Sequence, residues 1–156
     1  MDIQEINLKT PGWGISFTRP TTIAGGLPLR ALPVTDRLIV SLHQNIGAPA
    51  QPLVEPGDTV LKGQPVGAAT PGARGAAVHA PTSGVVTAIE PHAVPGHANA
   101  LCVHIRSDGE DRAWPGYAAL ADPLSAAPTE LRMAVAAAGI VGLGGALFPT
   151  SDKLDA

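Results

Sequence analysis

A mainly β fold of short strands, with one short helix and a Gly-rich loop near its C-terminal end, is what this sequence predicts. Gly 18 and Pro 16 in 156 residues are about twice the ordinary combined usage, so turns are frequent. Short apolar runs are broken by residue pairs that tolerate positive φ: Gly57-Asp58 between Val54 and Val60, and Lys62-Gly63 between Leu61 and Val66. Aromatics make up only 3% of the chain, so the core must come from Val, Ile, Leu and Ala. Small aliphatic side chains fill a narrow β-sandwich but stabilise it weakly per residue.

Residues 1–36 carry little periodicity, and Pro11, Pro20, Pro28 and Pro33 keep them extended. They read either as a lead-in that wraps a neighbouring surface or as a frayed tail. Leu38–Leu42 is a first buried strand, and His43–Pro52 is a loop. The two Gly-centred turns then predict hairpins. Val78–Ala80 and Val85–Ile89 flank a turn at Pro81-Thr82-Ser83-Gly84. Glu90–Asn99, punctuated by Pro91, Pro95 and Gly96, reads as a polar loop. Leu101–Arg106 alternates and closes the barrel as its last strand, and Ser107-Asp108-Gly109 is a turn.

Trp114–Pro128 holds Pro115, Gly116, Pro123 and Pro128 and reads as a linker. Thr129 suits an N-cap, Leu131–Ala138 a short Ala-rich helix, and Gly139 its end. The expected division is an extended lead-in over 1–36, a β domain over 37–111, a linker over 112–128, and a helix with a Gly-rich loop over 129–156.

The central spacing is more specific than a generic β pattern. V-x-x-G-D-x-V-x-x-G-Q-x-V from Val54, followed by V-x-A-P-x-S-G-x-V from Val78, resembles the barrel-sandwich hybrid fold of biotinyl and lipoyl domains. In carrier domains of that kind a lysine at the tip of the hairpin between the two halves is modified. Here the segment Ala68–Ala77 contains no lysine. Its one basic residue, Arg74, is always protonated and cannot accept an acyl group. The scaffold is expected without the swinging arm.

Net charge is −3 and no basic stripe is present, which argues against nucleic acid or an anionic membrane surface as partner. One cysteine, Cys102, excludes an internal disulfide and makes a reducing compartment the default. The N-terminus lacks the apolar core of a secretion signal. The longest apolar run, Ala134–Phe148, is shorter than the ~20 residues that cross a bilayer. A soluble chain is expected, held at any membrane by a partner.

Most single residues favour structural roles. Cys102 and His104 alternate on one strand and share a face, but two ligands do not make a metal site; a buried thiol beside a half-exposed histidine is expected. His43, His79, His92 and His97 have no paired nucleophile or carboxylate. Asp58 is expected to bond its own turn. No catalytic residue and no metal site is assigned.

Two separated motifs point to one family. Ile46-Gly47-Ala48-Pro49-Ala50 with Val54–Gln64, then Val78-His79-Ala80-Pro81-Thr82-Ser83-Gly84, resembles the N-terminal domain of the C subunit of the Rnf electron transport complex. Gly139–Ala146 with Phe148-Pro149-Thr150 resembles the first loop of the flavin- and NADH-binding domain in the same family. The resemblance implies a membrane-bound, ion-translocating NADH:ferredoxin-type oxidoreductase, with this chain in a peripheral subunit on the cytoplasmic side of the inner membrane. It implies other subunits of the complex as partners, and FMN, NADH and two 4Fe-4S clusters further along the family's chain. By resemblance, Gly142, Gly144, Gly145 and Lys153 are the cofactor-binding positions.

The sequence departs from the pattern in places. Leu147 stands where the family has a glycine, and Asn45 where it has a histidine. The chain ends at Ala156, where a nucleotide domain would begin, so residues 129–156 are expected to be the start of a truncated one. The site would then be incomplete and no cofactor is expected in this chain. Three functions remain open: a structural and docking module of an Rnf-type C subunit, a stand-alone protein-binding module without redox activity, and a carrier, against which the missing lysine counts.

Overall fold

The computed structural model describes residues 25–117 and 119–155. The chain divides into two units, residues 1–32 and 33–156. In the first, the described residues 25–32 are exposed and hold neither helix nor strand; residues 1–24 of the expected lead-in lie outside the described residues.

The described residues of the second unit carry seven strands and two helices: β1 Arg37–Ser41, β2 Gln51–Pro52, β3 Thr59–Val60, β4 Pro65–Ala68, β5 Val78–His79, β6 Gly84–Val94, β7 His97–Ser107, α1 Pro128–Ala137 and α2 Thr150–Lys153. The strands form two antiparallel sheets, ordered β1-β7-β6-β3 and β2-β4-β5. The mainly β sandwich expected from the spacing is present.

The two Gly-centred turns form where expected, closed by Asp58 N–H to Glu55 O (3.1 Å) and Gln64 N–H to Leu61 O (2.9 Å). They are not hairpins, however. β2 and β4 belong to one sheet and β3, between them, to the other, so each turn carries the chain across the sandwich. The physical reason is burial. Val60 and Val66 are both fully buried, and each must reach the core from the opposite layer. Asp58 behaves as a turn residue: its Oδ2 accepts the Glu55 N–H at 2.8 Å.

A second correction concerns Glu90–Asn99. These residues are not a loop. β6 runs on to Val94 and β7 starts at His97, making a long hairpin closed by Pro95-Gly96. Pro91 is tolerated inside β6 because β3 pairs only with Val85 and Gly84, so no described strand flanks the outer half of β6.

The core is aliphatic throughout: Val40, Leu42, Val54, Val60, Val66, Val78, Val86, Val103 and Ile105, with Ala50 and Ala80. Cys102 is fully buried and its thiol donates to Ala100 O, beside a partly buried His104. Burial pushes the thiol above its ordinary pKa, opposed by hydrogen bonds involving Ser41 and the His92 backbone.

Helix α1 begins two residues earlier than Thr129 as N-cap would require. Its cap is Ala127, with Pro128 in the first turn, where a missing N–H costs nothing. Glu130 Oε2 accepts the Ala127 N–H at 2.9 Å. At the other end Gly139, φ 65°, closes a Schellman motif: Gly139 N–H bonds Ala136 O and Ile140 N–H bonds Val135 O. A Cβ on Gly139 would stand 2.3 Å from Ala77 O, so glycine seats the helix end on the barrel.

Candidate functional site

The Gly-rich segment does not hang free. Ile140 and Thr150 close its base through Thr150 N–H to Ile140 O (2.9 Å), and Val141 bridges Pro149. Gly142 N–H bonds Phe148 O at 2.8 Å, and Leu147 N–H bonds Gly144 O at 3.2 Å. Between these ties, the backbone N–H groups of Leu143, Gly144, Gly145 and Ala146 have no acceptor among the described residues. N–H groups left without a protein acceptor are donors that an anion can use.

The four residues carried over by resemblance fall in this segment in two settings. Gly142 lies under Lys153: a Cβ there would stand 2.8 Å from Lys153 Nζ. Gly144 and Gly145 are exposed, with open space where a side chain would go. Leu147 holds φ 47°, the left-handed region that glycine takes without cost.

The barrel meets this segment through its β4–β5 connection, residues 69–77, where carrier domains hold their lysine. Arg74 Nε bonds Asp152 Oδ2 at 3.1 Å, and its Cζ lies 4.4 Å from the Phe148 ring centroid. Lys153 Nζ is 5.8 Å from the same centroid. From the β1–β2 connection, Ile46 N–H reaches Leu147 O at 3.4 Å. A cavity of about 660 Å³ opens at this junction, lined by His43, Asn45, Gly47, His97, Gly145 and Leu147 among others. His43 and His97 stack there with ring centroids 4.0 Å apart. Asn45 Nδ2 donates to Ile46 O, while its buried Oδ1 has no partner among the described residues.

Arg74, Asp152 and Phe148 were not legible as a unit in the sequence. The ion pair spans 78 residues, and no spacing rule links its ends. The only signal was that Arg74 is the single cation of its connection.

The Pro81–Gly84 motif serves a second constellation. Thr82 and Ser83 are buried, and their hydroxyls bond Asp111 Oδ1 (3.0 Å) and Asp108 Oδ1 (2.6 Å). Lys62 pairs with Asp111, and Arg112 with Asp108 and Glu110. The Arg112 guanidinium, helped by the Ser83 hydroxyl and the Glu110 N–H, holds the Asp108 carboxyl down at about 2. Lys62 likewise lowers Asp111, with Thr82 assisting. These saturated contacts make a clasp between the sandwich and residues 108–114, not a reactive site. Lys62 N–H to Arg112 O and Trp114 N–H to Lys62 O extend it into the start of the expected linker.

Among the described residues no group of three or more His, Cys, Asp or Glu side chains could hold a metal ion. One buried thiol cannot supply the cysteines of an iron–sulfur cluster, so the residues present do not fit that group. The free N–H groups at 143–146 and the Lys153 ammonium are donors of the kind a phosphate accepts. No described helix is long and apolar enough to cross a membrane.

Fold and site together define a barrel-sandwich hybrid whose hairpin tip carries no modifiable lysine and grips a Gly-rich segment. Residues 12–110 match the family model described as the RnfC barrel sandwich hybrid domain, and the chain belongs to that family. It is 46% identical over 143 residues, 90% of this chain, to the C subunit of the ion-translocating oxidoreductase complex from Serratia proteamaculans. The proteins of the same name from Yersinia pestis and Pseudomonas aeruginosa are 45% and 48% identical, over 82% and 83% of this chain. The matched part is 20%, 20% and 17% of these relatives, so the chain spans about a fifth of their length.

Proposed function

We propose that this chain is the N-terminal, barrel-bearing portion of a peripheral subunit of an ion-translocating, NADH:ferredoxin-type electron transport complex at the cytoplasmic side of the inner membrane. Its domain over 37–111 is structural and serves docking to other subunits. Residues 129–156, reached through 112–128, are the first part of a site for FMN and NADH. Gly142, Gly144, Gly145 and Lys153 contribute to that site, and the iron–sulfur clusters belong to other parts of the relatives' length. The observation that carries the nucleotide reading is the row of free N–H groups at Leu143–Ala146, with the Lys153 ammonium over the adjoining Gly142. Backbone donors and one cation are what a phosphate requires.

The test is the intact mass and colour of the product that cells make, captured through an antibody to the barrel. We expect a product much heavier than 15.8 kDa that carries flavin, whereas the 156-residue chain alone is colourless and does not oxidise NADH. A cellular product of 15.8 kDa without flavin would instead favour a stand-alone protein-binding module.

A further inference from the structure

We propose that Arg74 is a positioning residue for the Gly-rich loop, and that the 69–77 connection, the modified tip in carrier domains, is here a clamp on that loop. This rests on the reading of the loop as part of a nucleotide site. The clamp has a fixed base. Arg74 O accepts the Ala48 N–H at 2.8 Å, Thr70 Oγ1 donates to Pro49 O at 2.9 Å, and Ala73 N–H closes onto Thr70 O at 3.1 Å. Gly47, φ 119°, lets the chains meet: a Cβ there would stand 2.3 Å from Arg74 O. The tip is therefore held against the Ile46–Pro49 shoulder, unlike a swinging arm.

From that base the guanidinium makes two contacts at once. Its edge pairs with Asp152 in α2, and its plane lies over Phe148. Only a planar, delocalised cation does both well; an ammonium is a point charge. Phe148 is the residue whose carbonyl accepts the Gly142 N–H, and Asp152 adjoins Lys153. Arg74 thus holds the C-terminal side of the segment that bears the free N–H groups directly, and its Gly142 end through the Phe148 carbonyl, without reaching those groups itself.

Amide exchange of the 156-residue chain tests this without any ligand. In Arg74→Ala, the Gly142 and Thr150 amides should exchange roughly tenfold faster, the size expected of one exposed ion pair plus one cation–π contact. The Val86 and Val103 amides in the barrel should be unchanged. Arg74→Lys should fall between, because it keeps the charge and loses the stack. Unchanged exchange at Gly142 and Thr150, or equal acceleration in the barrel, would overturn the clamp.

A titration with inorganic phosphate separates the two layers. Saturable shifts of the Gly144 and Gly145 amides are expected in the wild type, with binding weakened in Arg74→Ala to the extent that the loop leaves its closed form. Phosphate shifts without an exchange effect would remove the clamp and leave the nucleotide reading standing. An exchange effect without phosphate shifts would remove phosphate binding by this loop, and with it any positioning role for Arg74.

Discussion

Asp108 shows how one residue of the clasp responds to pH. Its folded pKa is about 2, below the unfolded ~3.9, so the group stabilises the fold above pH ~4. That contribution is lost as pH falls from ~4 through ~2. Asp108→Asn should therefore lower Tm at pH 7, and the gap to wild type should close across that window. Thermal melts at pH 7, 4, 3 and 2 check it; a gap unchanged at pH 2 would mean the carboxylate's charge is not what matters. The role of Thr82 and Ser83 was hidden in the sequence for the same reason as the Arg74 pair. Their partners lie 29 and 25 residues on, in an ordinary-looking turn. Asp58 was legible, because its acceptor oxygen serves an N–H only three residues away. Leu147 was legible in another way: the resemblance marks a glycine position, and the residue does hold positive φ.

Among the elements, those with local signals were read well. Gly139 ends α1 as its sequence position predicts, and it also contacts the barrel at Ala77. Gly139→Ala should cost more than about 1 kcal/mol, since it adds left-handed strain to a close contact. Urea unfolding measures the loss, and faster exchange at Ile140 would locate it at the helix end. A neutral substitution would mean the helix end is not seated there. The β6–β7 hairpin was misread because Pro91, Pro95 and Gly96 signal a loop wherever neighbours are unknown. The two-residue strands β2, β3 and β5 escape periodicity altogether, being shorter than the alternation that reveals a strand. Their sheet membership depends on which layer each buried valine faces, which is a property of the packed molecule.

For the molecule as a whole, the aliphatic core expected from the scarcity of aromatics is the main source of cohesion. Leu42 lies fully buried within it, packed so closely on β4 that a Cβ on Gly67 would stand 2.7 Å from Leu42 Cδ2. Leu42→Ala should cost about 2–5 kcal/mol, against a total of roughly 5–15 for a domain. Leu124→Ala, at a residue 97% exposed, should stay within ~0.5 kcal/mol. Urea midpoints compare the two, with the reactivity of buried Cys102 toward a thiol reagent as a second reporter of opening. The barrel-sandwich arrangement was legible because its glycines and valines recur at fixed spacing. The grip of the tip on the Gly-rich segment was not, because it joins distant residues by charge and stacking. The long β6–β7 hairpin has a consequence for crowded solutions. Among the described residues no strand pairs with the free edge of its outer half, the kind of backbone rim along which proteins polymerise. Pro91, which has no N–H to give, interrupts that rim where a growing ribbon would need continuity.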